Sequence, residues 1–163
     1  MTVTPRLDAY HFYEEDWGDY DELLDAFEWE VPSSFNMATY ICDRWAEHDE
    51  TRVAMYADDG GGTRETYTFS DLQRTANAVA NFLDEQGVDR GDRVGINMRQ
   101  RPETVVAHVA CWKLGAVSVP LSTLFGTDAV EYRLDDANAV ACFVDSSNVE
   151  NVRAVADEIH SLE

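Results

Sequence analysis

Helix and strand patterns alternate between Tyr67 and Asp145, and this alternation constrains the fold more than any other feature of the sequence. In the first repeat, apolar residues at helical spacing precede a glycine turn and the apolar segment 93–98. Strands that alternate with helices of this length are joined by right-handed crossovers into a parallel sheet. The sequence therefore predicts the α/β fold class, with a mostly parallel sheet and crossover helices. The apolar positions of the first helix are Leu72, Ala76, Val79, Ala80 and Leu83.

Capping signals predict where the first two helices begin and end. Ser70 is predicted to cap the first helix, with Gln73 as its reciprocal partner in a capping box. Gly87 is placed to end that helix in a left-handed conformation. Pro102 suits the first turn of the second helix, and Gly115 suits its end.

Two further strands and two further helices are predicted downstream. Segments 116–121 and 139–144 are apolar runs, typical of strands that are covered on both faces. A helix is predicted to begin near Asp128, and a last apolar stripe runs from Val149 to Ile159. Because no strand follows that stripe for the crossover to reach, the sheet is predicted to be incomplete in this chain.

The glycine run at 60–62 is the obvious candidate for a phosphate-binding loop, but its surroundings argue against that role. It lies between two strand-like segments, 52–57 and 65–69. It lacks the Lys-Ser/Thr that follows a P-loop, and it does not lead from a parallel strand into a helix. We therefore predict a hairpin turn.

The chain is predicted to consist of an acidic extension, residues 1–31, and an α/β body, residues 32–163, with a boundary at Pro32-Ser33-Ser34. Aromatic residues alternate with the acidic ones in the extension. Since disordered acidic runs usually lack aromatics, this mixture predicts an amphipathic helix packed on the body. A first helix of the body is predicted from about Ser34 to Glu47.

Acidic residues outnumber basic ones by 32 to 12, which gives a formal net charge of -20. Self-repulsion opposes folding in dilute salt, and it is largely screened at molar salt, where the Debye length is about 3 Å. The composition therefore predicts a halophilic protein and disfavours a nucleic-acid partner. Met1 to Tyr10 lacks the features of a signal peptide, and no apolar run is long enough for a membrane span, so we expect a cytoplasmic protein without membrane insertion.

No metal site and no catalytic residue are predicted. The four histidines are not spaced to share one helix face, and the three cysteines lie far apart in apolar segments, typical of buried thiols in a reducing compartment. Asp145, at the end of an apolar strand, resembles the phospho-acceptor position of receiver domains. We reject that interpretation because the sequence has no suitable acidic pair, and its one lysine, Lys113, is misplaced.

Three segments taken together resemble the N-terminal subdomain of AMP-forming acyl-CoA synthetases, which belong to the adenylate-forming superfamily. They are Tyr67–Leu72, Gly87–Val94 and Lys113–Leu121, and the resemblance spans residues 34 to 160. Leu124–Leu134 is similar to the acetyl-CoA and medium-chain acyl-CoA synthetase branch. The resemblance implies the N-terminal subdomain of the adenylate-forming fold.

The resemblance also implies a two-step reaction. A carboxylic acid attacks ATP to give an acyl-adenylate and pyrophosphate, and coenzyme A then displaces AMP. ATP, magnesium and coenzyme A are the implied cofactors, and the remainder of the synthetase chain is the implied partner. The family's phosphate loop, nucleotide-binding motifs and C-terminal domain have no counterpart here, so we expect the chain alone to be inactive and to bind none of these cofactors tightly. The alternative is a freestanding, non-catalytic α/β binding or interaction module.

Three residues are carried over from the family as candidate coenzyme A contacts. Phe125 and Gly126 align with an aromatic-glycine segment, in which the ring would stack on adenine and the glycine would permit close backbone approach. The alternative is that Gly126 makes a turn and Phe125 fills the core. Arg153 aligns with a region from which cations reach the coenzyme A phosphates, or else it lies on a solvated helix face.

Overall fold

The computed structural model describes residues 6–162, and the chain divides into two compact units, with the second beginning at Asn36. The first unit contains a 3-10 helix, Asp8–Glu14, and helix α1, Tyr20–Ala26. Asp19 caps α1 by accepting a hydrogen bond from the backbone N–H of Glu22 at 2.9 Å. Instead of the single amphipathic helix that we predicted, the described part of the extension, residues 6–31, contains two short helices.

The second unit opens with a helical segment that starts later than the sequence predicted. A π-helical turn, Thr39–Asp43, runs directly into α2, Arg44–His48. The side chain of Asn36 accepts a hydrogen bond from the backbone N–H of Thr39 at 3.1 Å and donates one to the carbonyl of Trp112 at 2.9 Å. Asn36 thus caps this segment and links it to the end of the helix that contains Trp112.

Strands β1, Val53–Asp58, and β2, Arg64–Thr68, form an antiparallel hairpin. Gly60 and Gly62 take left-handed φ angles of 73° and 97° in its turn. The carboxylate of Asp59 accepts hydrogen bonds from the backbone N–H groups of the turn. The predicted hairpin turn is confirmed.

Helix α3, Phe69–Glu85, begins earlier than we predicted. Thr68, the last residue of β2, is its cap, and Asp71 completes the capping box. The prediction of Ser70 with Gln73 was wrong because the extended strand runs straight into the helix, which leaves Ser70 inside the first turn. The end of α3 was predicted correctly, since Gly87 has a φ of 88°.

The remaining elements alternate as predicted, and they form a three-stranded sheet. Strand β3 is central, with β4 on one side and β5 on the other, and both pairings are parallel. The sheet confirms the α/β class. In chain order the elements are β3 (Arg93–Asn97), α4 (Pro102–Leu114), β4 (Val117–Pro120), α5 (Thr127–Asp136), β5 (Ala139–Val144) and α6 (Val149–Ala156).

Helices cover both faces of the sheet. Val94 of β3 packs in a cluster with α3 and α4, which includes Leu83 and Cys111. The next residue, Gly95, faces the opposite side, where a Cβ atom would lie 2.6 Å from Leu134 of α5 and 2.9 Å from the sulfur of Cys142. Only a glycine therefore allows α5 to pack this closely on the central strand.

Candidate functional site

The strand order of the sheet indicates where a ligand would bind. From the central strand β3 the chain moves first to β4 on one side and then to β5 on the other. In open parallel sheets, ligands bind outside the carboxyl ends of the strands, close to such a reversal. The candidate site is therefore the edge where β3 ends at Asn97, β4 leads into the loop 121–126, and β5 leads to Asp145.

Three polar residues are buried in the described part of the chain, and all of them lie at this edge: Asn97, Asp145 and Asn148. The side-chain amide of Asn97 donates a hydrogen bond to the carbonyl of Ser122 at 2.9 Å. The side-chain amide of Asn148 donates to Asn97 Oδ1 at 2.8 Å and to the carbonyl of Thr123 at 3.1 Å. This network joins the ends of β3 and β5 to the loop that follows β4.

Asp145 holds the segment that follows β3. One carboxylate oxygen accepts a hydrogen bond from the backbone N–H of Arg99 at 2.7 Å, and the other accepts one from the Arg101 guanidinium at 3.2 Å. Arg101 also binds Glu103 in a bidentate pair, which lowers the pKa of the Glu103 carboxyl. Because Asp145 is buried and both of its oxygens are engaged, it acts as a structural anchor at this edge.

Phe125 and Gly126 lie at the end of the same loop. Gly126 is the N-cap residue of α5, with φ −74° and ψ 175°, and a Cβ atom there would meet nothing within 4 Å. Neither conformation nor packing within the described residues requires a glycine at this position. Phe125 is half-buried against the cluster of α5 and α6, and the Arg133 guanidinium lies 4.1 Å from its ring centroid.

Arg153 lies on the exposed side of α6. Its guanidinium pairs with Glu150 of the same helix at 3.1 Å, and both side chains are largely exposed. The structure thus brings Phe125 and Gly126 together on one loop, whereas Arg153 pairs within its own helix.

Sequence reasoning missed Asn97 and Asn148 as members of this site. Asn97 is the last residue of β3, and Asn148 lies shortly after the end of β5, so both are polar residues beside apolar strands whose carboxyl ends share one edge of the sheet. The sequence therefore contained a signal, but asparagine is also common in ordinary turns, so the signal did not distinguish these two residues from turn residues. Their pairing depends on the strand order, which the sequence alone did not provide.

The cysteines and His108 contribute no nucleophile to this edge. Burial raises the pKa of Cys42, Cys111 and Cys142 to about 11, so their thiolates are disfavoured at neutral pH. Burial lowers the pKa of His108, whose Nδ1 lies 2.9 Å from the hydroxyl of Ser118. The Trp112 indole donates to the same hydroxyl, so this cluster links α4 to β4.

The described residues do not provide an obvious site for ATP with magnesium. Within residues 6–162, no group of three or more His, Cys, Asp or Glu side chains is arranged to hold a metal ion. The glycine run forms the tip of a hairpin and not a loop between a parallel strand and a helix. In the same range, no helix is both long and apolar enough to span a membrane.

Comparison with known proteins identifies the family to which this arrangement belongs. Residues 42–163 match the family described as AMP-binding enzyme. This chain belongs to the AMP-binding enzyme family. The match covers most of the second compact unit, including the hairpin, the parallel sheet and the edge with the three buried polar residues.

Curated proteins that are similar to this chain include acyl-CoA and acetyl-CoA synthetases. The mitochondrial acyl-coenzyme A synthetase ACSM3 of Mus musculus is 29% identical, over 91% of this chain and 27% of its own length. The acetyl-coenzyme A synthetase of Gemmatimonas aurantiaca is 32% identical, over 74% of this chain and 21% of its own length. The chain thus spans about a quarter of the length of these relatives.

Solved structures of an acyl-CoA synthetase and of a CoA ligase share the fold. The acyl-CoA synthetase of Brucella canis superposes with a TM-score of 0.77 at 27% identity, over 88% of this chain and 27% of that chain. The anthranilate CoA ligase AuaEII, solved in complex with anthranoyl-AMP, superposes with a TM-score of 0.73 at 27% identity. This match covers 82% of this chain and 25% of that chain. The predicted resemblance to acyl-CoA synthetases and the predicted adenylate-forming fold are confirmed.

Proposed function

We propose that this chain is the N-terminal part of an acid-CoA ligase that activates a short- or medium-chain carboxylic acid with ATP and transfers it to coenzyme A. The observation that carries the proposal is the family match over residues 42–163, together with relatives that are acyl-CoA and acetyl-CoA synthetases about four times longer. In this proposal the chain supplies scaffold and one wall of a binding pocket.

The chain alone is proposed to be inactive. ATP with magnesium would supply the electrophilic phosphorus and the pyrophosphate leaving group, which require fixed positive charge around the phosphates. The described residues offer neither a phosphate-cradling loop nor a cluster of metal ligands. We therefore assign no step of acid activation to them, and we place that chemistry in the remainder of the synthetase.

Phe125 and Gly126 are proposed to form one wall of the coenzyme A pocket. The position of Gly126 is open, so a ligand could approach the backbone there without displacing a side chain. The Arg133 guanidinium lies 4.1 Å from the ring centroid of Phe125, and this contact would hold the ring so that its other face is available for stacking. Both residues lie at the carboxyl edge of the sheet, where ligands of open α/β sheets bind.

Arg153 is proposed to contact a phosphate of coenzyme A. Its exposed pairing with Glu150 is the kind of surface ion pair that contributes little stability, so the guanidinium can be redirected at small cost. A guanidinium binds phosphate oxygens through two parallel hydrogen bonds.

The remainder of the synthetase is the proposed partner, and a groove beside β5 is the proposed contact surface. The groove has a volume of about 440 Å³ and lies between the end of α3 and strand β5. Among residues 6–162, no charged residue lines the groove, although the chain has a net charge of -20. Phe82, at its rim, is 56% exposed. An apolar surface on such a charged chain is consistent with burial in a larger protein.

The acidic composition supports a further proposal about habitat. A net charge of -20 suits a cytoplasm with concentrated salt, because screening removes most of the self-repulsion. The three cysteines are free and none is paired, as expected in a reducing compartment. We therefore propose a halophilic, cytoplasmic enzyme.

A freestanding, non-catalytic α/β module is the second candidate, favoured because the described residues contain neither a phosphate-cradling loop nor a cluster of metal ligands. ATP-pyrophosphate exchange with a panel of carboxylic acids in molar KCl separates the two. The assay is run on this chain and on any longer polypeptide expressed from the same locus. Exchange by the longer polypeptide alone is expected. Exchange by this chain would overturn its proposed inactivity, and silence from both would favour the module.

A further inference from the structure

The loop 121–126 follows β4 along a path that side chains, rather than strand pairing, specify. Strand β4 ends at Pro120, and the backbone N–H of Leu121 donates the last ladder hydrogen bond to Ile96 at 2.9 Å. Beyond that point the carbonyls of Ser122 and Thr123 accept hydrogen bonds from the side chains of Asn97 and Asn148. The two asparagines therefore continue the ladder where the strands no longer pair.

We propose that Asn97 and Asn148 are positioning residues that hold the loop of Phe125 and Gly126 in the geometry needed for coenzyme A. This inference rests on the proposed coenzyme A role of that loop. Asn97 is 1% exposed and Asn148 is 9% exposed. They therefore act by supporting the loop from the protein interior and not by touching a ligand.

Asn97 is linked to the backbone of Phe125 through the carbonyl of Ser122. The carbonyl of Ser122 accepts the Asn97 amide at 2.9 Å and also the backbone N–H of Phe125 at 3.2 Å. The hydroxyl of Ser122 accepts the backbone N–H of Leu124 at 3.2 Å. Moving Ser122 would therefore move the backbone of both residues that lead into Gly126.

The hydrogen bonds require a donor and an acceptor on the side chain at position 97 and two donors on the side chain at position 148. Asn97 donates to Ser122 and accepts from Asn148 at the same time, which only a side chain with both a donor and an acceptor can do. An aspartate at position 97 has almost the same shape, but it keeps the acceptor and loses the donor. An aspartate at position 148 loses the donors to both Asn97 and Thr123.

The test is amide hydrogen exchange on the 163-residue chain with Asn97→Asp and Asn148→Asp. Asn81→Asp is the matched control, because it makes the same change of shape and charge at an exposed site on α3. We expect exchange in residues 121–127 to accelerate by about tenfold or more in both test variants, and by less than about twofold in the control and in peptides from β3 and β5. Exchange at 121–127 that stays at the wild-type rate would overturn the proposal.

Two further measurements, of folding and of KM, test the positioning role of the asparagines. Circular dichroism melting shows whether Asn97→Asp is folded; if it is not, Asn148→Ala takes its place, since it removes the bond to Thr123 while leaving the Asn97 bond to Ser122. In an active longer synthetase, both variants are expected to raise KM for coenzyme A by about tenfold and leave KM for ATP within about twofold. A rise in both constants together would indicate general loss of structure and contradict a positioning role.

The inference and the proposed function fail in different ways. If Phe125→Ala leaves KM for coenzyme A unchanged, the proposed pocket wall is wrong, although the loop can still be held by the asparagines. If Phe125→Ala raises that KM but the asparagine variants change neither the exchange nor the KM, the proposed function stands and the positioning role is wrong.

Discussion

Thr68 and Asp71 form reciprocal hydrogen bonds at the start of α3. The Thr68 hydroxyl accepts the backbone N–H of Asp71 at 3.1 Å, and the Asp71 carboxylate accepts the backbone N–H of Thr68 at 3.1 Å. The Asp71 carboxylate also accepts the Thr68 hydroxyl at 2.8 Å, and the two hydrogen bonds that it accepts from Thr68 lower the pKa of Asp71. Because Thr68 is also the last residue of β2, the same side chain ends the hairpin and begins the longest helix of the described chain.

Replacing Thr68 with alanine is expected to destabilise the chain by about 1 kcal/mol, because one backbone donor of α3 loses its acceptor. Ser70→Ala is the control, since Ser70 lies inside the first turn and not at the cap. It should change the free energy of unfolding by less than about 0.5 kcal/mol. Urea unfolding of both variants measures the difference, and a larger loss for Ser70→Ala would contradict the cap assignment.

Gly126→Ser separates a ligand role for this glycine from a structural one. A serine side chain has room at this position, and serine is a preferred N-cap residue, so stability should be unchanged or slightly raised. In an active longer synthetase, KM for coenzyme A should rise by about tenfold if the backbone must approach the ligand closely.

Gly95→Ala is expected to destabilise the chain, in contrast to Gly126→Ser. Its Cβ atom would collide with Leu134 and Cys142, so thermal or urea unfolding should show a loss of about 1–3 kcal/mol. If Gly126→Ser proved as destabilising as Gly95→Ala, the glycine at 126 would have a structural role that the described contacts do not explain.

The pH dependence of stability should include a contribution from His108. Burial lowers the pKa of this histidine below its ordinary value of 6.5, so the unfolded chain binds the proton more readily. The contribution is fully present above pH 6.5 and is lost as the pH falls from there through the lower pKa of the folded state. Urea unfolding at several pH values should give a shallower loss of stability in His108→Asn, and parallel curves would contradict the assignment.

Added KCl is expected to raise the melting temperature of the chain mainly between 0.1 and 1 M and less at higher concentrations. The Debye length falls from about 10 Å at 0.1 M to about 3 Å at 1 M, so screening of the net charge is nearly complete by 1 M. We expect the melting temperature to rise by about 5 °C or more between 0.1 and 1 M KCl, which corresponds to roughly 2 kcal/mol. A steady linear rise up to 3 M would indicate exclusion of salt from the surface, and no rise would contradict the halophilic proposal.

The sequence predicted the sheet well because its strands are short apolar runs between clear helix ends. Gly87 and Gly115 end helices in left-handed conformations, and Pro102 begins α4, as the local pattern indicated. Helix starts were less predictable, since Ser70 considered alone is at least as good a cap as Thr68. The choice between them depends on where the antiparallel pairing of β2 with β1 stops, which is a tertiary feature.

The candidate site was only partly predictable. Phe125 and Gly126 came from resemblance to the family, and the structure places them on one loop at the carboxyl edge of the sheet. Asn97 and Asn148 are 51 positions apart, and they meet because β3 and β5 are neighbours in the sheet. No local pattern encodes that pairing, since the strand order depends on how the crossovers pack.

Coenzyme A-dependent protection of the loop is the most direct test of the account. Hydrogen exchange in residues 121–127 is measured in an active longer synthetase, with and without coenzyme A at a concentration that saturates turnover, using hairpin residues 60–66 as the internal reference. We predict that coenzyme A slows exchange at 121–127 by about tenfold or more and leaves the hairpin unchanged. Unchanged exchange at 121–127 in the saturated enzyme would contradict the claim that this edge of the sheet forms part of the coenzyme A site.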